Sequence, residues 1–163
     1  MRVLGIDPGS RITGFGVVDH RDGKLSYVTS GCIRMQDGSL PDRLKTIFVS
    51  VTEIIEDCSA EVMAIEEVFV AKNARSALVL GQARGAAISA GVSSGLPVDE
   101  YTALQIKKSV VGYGKADKAQ VQHMVKSILA LEGMPQSDAA DALACAICHA
   151  HTLDNLQRMQ RRG

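Results

Sequence analysis

The spacing of apolar residues predicts that the chain opens with three strands. Residues 2–7 are apolar on both faces, which is typical of a strand at the centre of a sheet. Residues 12–20 and 24–34 also have strand character, and Arg21-Asp22-Gly23 between them is a hairpin signal. The three segments predict an antiparallel meander, with a type II turn at the Pro8-Gly9 pair that follows the first strand.

Helical and strand patterns alternate after the meander. Leu44, Ile47 and Val51 share one helical face, which predicts a helix over residues 41–57. Because this helix precedes a short strand at residues 61–66, a parallel crossover is the expected connection. The later segments are a helix over 73–94, a strand over 98–101, and helices over 116–132 and 138–153. The order βββαβαβα with a helical end predicts an α/β fold, with a five-stranded mixed sheet flanked by helices.

Length and composition limit the class of protein. The 163 residues suffice for one domain, which we place at residues 1–155, followed by a short basic tail at 156–163 whose order the sequence leaves open. Apolar residues make up 46% and aromatic residues 4%, so we expect an aliphatic core. An acid follows the first strand too early for a signal peptide, and no apolar run approaches the ~18 residues of a membrane span. We therefore expect a cytoplasmic protein with no membrane segment.

Positive charge is segregated along a chain whose formal net charge is +0. Residues 102–126 contain five lysines against one aspartate. A chain without net charge has no overall attraction to a polyanion, so binding to nucleic acid would depend on such local blocks. Taken alone, the pattern fits solvated helix faces better than a binding surface.

Four carboxylates occupy positions where a buried charge is costly. Asp7 and Glu66 end apolar strands, and Asp138 and Asp141 lie three residues apart on the last predicted helix. Acids at the ends of buried strands are expensive to desolvate unless a cation or several donors meet them. Two divalent ions about 4 Å apart, held by such oxygens, can activate water and neutralise the leaving oxygen of a phosphodiester. The four acids therefore predict a metal site suited to phosphodiester hydrolysis.

Each acid also has a structural explanation. Asp138 is a good N-cap for the last helix, and Asp7 could form an Asx turn ahead of the following proline. Strand alternation places only one of Glu66 and Glu67 on a given face of the sheet.

The segment Cys145-Ala-Ile-Cys148-His149 fits the CxxCH string of haem attachment, and the nearby His151 raises the possibility of zinc. The segment lies on an apolar, alanine-rich helix, where small buried cysteines are ordinary packing. No export signal accompanies the string. We therefore expect core packing here, and neither haem nor structural zinc.

Six segments, distributed over almost the whole chain, share one family pattern. They are LGIDPGSRITGFGVV, GCIRM, AIEEVF, AKNARSALVLGQARG, VVGYGKADKAQVQHMV and SDAADALACAICHAH. DPGS followed by TG is moderately specific by itself, but it is highly specific in register with AIE, LGQARG and DAADALA. Together the segments resemble the RuvC family of bacterial Holliday junction resolvases. The resemblance implies a ribonuclease H-like fold, which has the predicted order of elements.

The resemblance also implies an activity. The family's catalytic carboxylates fall on Asp7, Glu66, Asp138 and Asp141, which would hold two Mg²⁺ ions per active site, with Mn²⁺ able to substitute. The reaction would be symmetric nicking of two like strands in four-way junction DNA during recombination and repair.

Five residues are candidates for contacts with DNA. Lys107, Lys108, Lys115 and Lys118 are candidates for phosphate contacts, and the family positions that match Lys107 and Lys118 contact DNA. Phe69 would more often be a core aromatic residue, but the resemblance makes it a wedge or stacking residue at the unpaired crossover.

The resemblance implies a homodimer, whose two-fold symmetry would match a junction that needs two equal cuts. The small-residue helix at 73–94 would help to form it. From the residues alone, Gly81 and Gly85 could equally allow close helix packing within the monomer. The RuvA and RuvB branch-migration complex is a further implied partner.

Two other classes remain as alternatives. GIDPGSRITGFGVV resembles the first phosphate loop of the actin and Hsp70 ATPases, but those enzymes need two such domains and this chain supplies one. A non-catalytic or RNA-processing relative with the same fold would be expected to lose acids from the set, and all four are present.

Overall fold

The structure is a computed structural model that describes residues 1–67 and 73–161. The strands of the described chain are β1 (Arg2–Asp7), β2 (Ile12–Arg21), β3 (Lys24–Arg34), β4 (Val62–Glu67) and β5 (Val98–Thr102). Its helices are α1 (Leu40–Cys58), α2 (Ala74–Ser93), α3 (Ala103–Val111), α4 (Lys118–Ile128) and α5 (Ser137–Gln160).

The strands form one mixed sheet in the order β3-β2-β1-β4-β5. β1, β2 and β3 pair antiparallel, and β4 and β5 continue the sheet with parallel pairing. Asp22 and Gly23, with φ angles of 51° and 73°, form the two-residue turn between β2 and β3. The predicted meander, the parallel crossover and the five-stranded mixed sheet are therefore confirmed.

The predicted type II turn after β1 is wrong. That turn needs a positive φ at Gly9, and Gly9 is not among the glycines with positive φ. The chain instead curls back on itself, so that the Gly9 N–H donates to Thr13 Oγ1 over 3.4 Å. A Cβ on Gly9 would overlap the carbonyl oxygen of Ile12. Glycine is therefore needed here because a side chain would not fit, and not because of its backbone angles.

The sheet has a helical layer on each face. Because side chains alternate along a strand, Leu4 and Ile6 of β1 enter one core with α1 and α2. Val3 enters the other core, which is built with α3, α4 and α5. Asp7 follows the alternation of Val3 and so belongs to the face that α5 covers.

The helices after β5 differ from the prediction. The sequence analysis assigned no helix to residues 103–111, where α3 begins with a capping box formed by Thr102 and Gln105. α4 is shorter than the predicted helix over 116–132. α5 is longer than predicted, and because it continues through Gln160, residues 156–160 of the predicted tail are helical.

The outward face of α2 carries apolar and small side chains. Leu78 is 66% exposed and Val92 is 60% exposed. A Cβ added to Gly81 or Gly85 would meet nothing within 4 Å in the described chain. Among the described residues, nothing packs against these glycines, and the helix enters the core through Ala83, Ala87 and Ala90.

No helix within residues 1–67 and 73–161 combines the length and the apolar character required to span a bilayer.

Candidate active site

Asp7 and Glu66 lie side by side at the carboxyl ends of two neighbouring strands, β1 and β4. β1 and β4 are parallel neighbours with Ile6 opposite Ile65, so the next residue on each strand is an acid at the carboxyl end. On the other side of β1, Asp7 pairs with Gly14 of β2.

Gly14 lets α5 approach Asp7. A Cβ at Gly14 would overlap the carbonyl oxygen of Asp138, in the first turn of α5. The absence of that Cβ allows the start of the helix to lie directly on the strands. Asp138 and Asp141 are thereby brought to the carboxyl end of β1, although they follow Asp7 by more than a hundred residues.

Three of the four predicted acids line one cavity of about 210 Å³. The charged residues that line it are the acids Asp7, Glu66 and Asp141 and the lysines Lys107 and Lys118. Ala103, Ile106 and Val121 supply apolar lining. Asp138 is half-buried beside this cavity and close enough for its charge to act on Asp7.

The N-cap explanation for Asp138 is wrong. The N-cap position of α5 is Gln136, which makes no side-chain cap bond, and Asp138 lies inside the first turn. A carboxylate there is stabilised by the positive end of the helix dipole. The cap therefore does not account for this acid.

Burial and like charges disfavour the ionised form of Asp7. Burial is the largest cause, and the charges of Glu66 and Asp141 add to it, so the pKa of Asp7 rises from 3.8 to about 8. Lys118 opposes the rise but does not cancel it. Burial and the neighbouring acids therefore favour the protonated form of Asp7 when no cation is bound.

The pKa values of Glu66 and Asp141 are also raised, in each case chiefly by burial. Lys118 opposes both shifts, and its Nζ donates to Asp141 Oδ2 over 3.2 Å. The same contact raises the pKa of Lys118. Because the Lys118 side chain is 74% exposed, this ion pair is weak and the lysine can exchange partners.

The donor set suits a hard divalent cation. Within residues 1–67 and 73–161, no three His, Cys, Asp or Glu side chains are close enough to form a ready-made metal site. Asp7, Glu66 and Asp141 line the cavity without forming such a site. All four nevertheless offer only oxygen, and Asp7 needs more positive charge than the lysines supply to ionise at neutral pH. The residues therefore fit Mg²⁺ or a similar ion.

Comparison with known proteins identifies the family. The family model described as "Crossover junction endodeoxyribonuclease RuvC" matches residues 3–149. A curated protein of that description from Aromatoleum aromaticum is 62% identical over 150 residues, covering 92% of this chain and 81% of the relative. Another, from Tolumonas auensis, is 59% identical over 157 residues, covering 96% of this chain and 91% of the relative.

This chain belongs to the RuvC family. The resemblance of the sequence motifs is thereby confirmed.

Solved structures agree with the RuvC assignment. Thermus thermophilus RuvC, in complex with a Holliday junction substrate, has a TM-score of 0.88 and 34% identity, with 94% of each chain covered. The yeast mitochondrial Holliday junction resolvase Ydc2 has a TM-score of 0.69 at 11% identity, covering 98% of this chain and 83% of that one, a likeness of fold. The predicted ribonuclease H-like fold class is confirmed.

The four lysines predicted as candidates for phosphate contacts lie in three different places. Lys107 and Lys118 line the acidic cavity. Lys108, although adjacent to Lys107, borders a separate groove of about 690 Å³ together with Arg158. Lys115 is exposed in the connection between α3 and α4. Phe69 lies outside the described residues.

The CxxCH segment packs as predicted. Cys145 and Cys148 are buried in the core, which confirms the packing interpretation. His149 is also buried, and its Nδ1 is 2.9 Å from the hydroxyl of Tyr101 on β5. The segment thus ties α5 to the edge strand.

One neighbour of the site was missed by the sequence analysis. Arg84 of α2 donates from Nε to the backbone carbonyl of Glu66 over 3.2 Å. No local pattern signals this contact, because the two residues lie on separate elements. α3, which carries Lys107, was also missed, although its Thr102-x-x-Gln105 capping box was readable in the sequence.

The pKa of Asp7 predicts that the metal-free protein loses stability as the pH rises. Its folded pKa is raised, so its contribution is complete below the unfolded value of 3.8 and is lost as pH rises through about 8. We expect the Tm measured in EDTA to fall across this window. The Tm of Asp7→Asn, whose side chain cannot ionise, should fall less over the same pH range. Asp37→Asn, at an exposed position, is the control. Equal pH dependence of Asp7→Asn and the unaltered protein would contradict the assignment.

Proposed function

We propose that this protein is a divalent-metal-dependent endonuclease that resolves Holliday junctions by symmetric nicking of two like strands. The observation that carries the proposal is the cavity in which Asp7, Glu66 and Asp141 face Lys107 and Lys118. Membership of a family described as crossover junction endodeoxyribonucleases supports the substrate class. The alternative of a non-catalytic relative is disfavoured, because all four acids are present and three of them line one cavity together with two lysines.

The acids would hold the metal and the lysines would hold the substrate. Asp7, Glu66, Asp138 and Asp141 are the proposed ligands of two Mg²⁺ ions, which Mn²⁺ can replace. When bound, such ions supply a nucleophilic water and stabilise charge on the leaving oxygen.

The remaining steps belong to the protein's own groups. Asp7 must release its proton before it can serve as a ligand, because its pKa is about 8. Lys118 must leave Asp141, and a DNA phosphate is the natural acceptor for its ammonium group. Hydrolysis of the P–O3′ bond would then leave a 5′-phosphate and a 3′-hydroxyl.

Asp7→Asn should bind a synthetic four-way junction but fail to cut it. The substitution removes a proposed metal ligand while leaving the lysines in place, and neutral Asn adds no repulsion toward DNA. We expect the nicking rate with Mg²⁺ to fall by about 10²- to 10³-fold, as when a group that stabilises the transition state is removed.

The measurement is single-turnover cleavage of a junction labelled on each strand, with Asp37→Asn as the control. Cleavage by Asp7→Asn at the unaltered rate would sink the role of Asp7. Equal affinity of the unaltered protein for junction and plain duplex would rule out the proposed substrate.

The lysines should contribute unequally to the salt dependence of binding. Lys107 and Lys118 line the acidic cavity, whereas Lys45 on α1 lies in the opposite layer. Removing one lysine that binds a phosphate should reduce the slope of log K against log salt by about one. We therefore expect a shallower slope for Lys107→Ala and Lys118→Ala, and no change for Lys45→Ala. Lys108→Ala and Lys115→Ala, made in the same way, test whether the exposed lysines contact the junction arms.

We also propose a homodimer formed through the outward face of α2. Leu78, Gly81, Gly85 and Val92 follow helical spacing on that face, and the two large apolar residues are exposed. Exposed apolar stripes of this kind mark interaction surfaces. A two-fold dimer would present two equal active sites to a junction with the same symmetry. RuvA and RuvB are the proposed partners of that assembly, as the resemblance implies.

Leu78→Glu should convert the dimer to a monomer. A charge at a residue that is 66% exposed in the single chain costs little until a second copy buries it. Analytical ultracentrifugation should show the monomer for Leu78→Glu and the dimer for Met159→Glu, a control at a residue that is 70% exposed on α5. A dimer that withstands Leu78→Glu would place the interface elsewhere.

A further inference from the structure

Arg84 joins the helix of the proposed dimer face to the active site. It lies on α2 between Gly81 and Gly85, but its side chain is only 21% exposed, so it turns away from that outward face. Its Nε–H donates to the backbone carbonyl of Glu66. Its guanidinium group also forms an ion pair with the carboxylate of Glu100 on β5.

Arg84 donates its hydrogen bond to the backbone of Glu66, whose side chain lines the cavity. The pairing of β4 with β1 ends at Ile65, so Glu66 is paired with β5 alone, opposite Tyr101. The Glu66 side chain has several rotatable bonds, and its direction depends on a fixed backbone. A planar guanidinium anchored by Glu100 can hold a carbonyl in place more rigidly than a single donor, because its donors form a fixed fork.

Resting on the proposed function, we infer that Arg84 is a positioning residue for Glu66. It fixes the end of β4 relative to α2 and β5, so that the Glu66 carboxylate points into the cavity with Asp7 and Asp141. Arg84 does not itself line the cavity and touches no reacting atom. Its action is through the geometry of a metal ligand, which is how residues behind metal ligands tune a site.

The first test is metal binding without DNA. Calorimetric titration with Mn²⁺ alone should show an affinity about 10- to 100-fold lower for Arg84→Met than for the unaltered protein, the usual cost of removing a group that orients a ligand. Lys45→Met, which removes one positive charge from an exposed site on the neighbouring α1, should bind Mn²⁺ normally. Loss of positive charge alone would strengthen cation binding, so a weaker affinity reports geometry and not charge.

A double-mutant cycle tests whether Arg84 acts through Glu66. If it does, Arg84→Met should cost Mn²⁺ affinity in the unaltered background and nothing further in the Glu66→Gln background. Additive losses would overturn the inference, because they would mean that Arg84 acts independently of this carboxylate.

Folding is controlled separately. Tm and sedimentation should show folded dimers for each variant, and Arg84→Lys provides a second variant that retains the charge and most of the side-chain stem. Its single ammonium group cannot hold both the Glu66 carbonyl and Glu100, so we expect a loss of Mn²⁺ affinity in the same direction. Normal Mn²⁺ affinity in both Arg84 variants would refute the positioning role.

Junction cleavage separates this inference from the proposed function. With saturating enzyme and Mg²⁺, Arg84→Met should nick more slowly while its junction affinity stays unchanged. If the unaltered protein and Lys45→Met fail to nick the junction, the proposed function is wrong. The Mn²⁺ titrations would still decide the role of Arg84, because they require no DNA.

Discussion

Helix α5 lies directly on strands β1 and β2, with no side chain between the backbones at two glycines. Cβ atoms at Gly5 and Gly14 would overlap the carbonyl oxygens of Ala142 and Asp138, so the helix can lie against the strands only where these side chains are absent. Dense packing of this kind leaves little freedom to shift. It therefore determines where the acids of α5 stand relative to Asp7, and the active site inherits its geometry from the packing of the core.

The same packing buries acidic side chains close together, which lowers the stability of the folded protein. Burial and neighbouring charges raise the pKa of Asp7 to about 8, and Lys118 offsets only part of this effect. A fold chosen for stability alone would not collect carboxylates at the end of its central strand. Stability given up at a site is a common feature of functional clusters, and in the proposed function a cation that replaced the proton would recover this cost. Under that proposal, the proton, the lysine and the metal are alternative partners of the same carboxylate oxygens.

α2 connects this site to the proposed symmetry of the assembly. Its buried alanines pack on the sheet, its outward face carries the apolar stripe, and Arg84 reaches from between them to the carbonyl of Glu66. One rigid helix can therefore set both the relation between two copies and the position of a metal ligand within each copy. In the proposed dimer, such a connection would give each copy the same relation between the interface and the site.

Most secondary-structure elements and the chemical type of the site could be predicted without coordinates. Apolar periodicity predicted the strands and most helices, Asp22-Gly23 predicted a turn, and acids that end apolar strands predicted a metal site, because these signals are short-range. Which groups lie close together depends on how the elements pack. Lys107 and Lys108 are adjacent in sequence but line different cavities. Gly9 lies where a Cβ would overlap the Ile12 carbonyl oxygen, which its neighbours in sequence do not reveal. Arg84 binds the backbone of a strand residue 18 positions earlier in the chain. The raised pKa of Asp7 likewise depends on tertiary structure. Desolvation and pairing depend on neighbours that are distant along the chain, and packing alone brings those neighbours together.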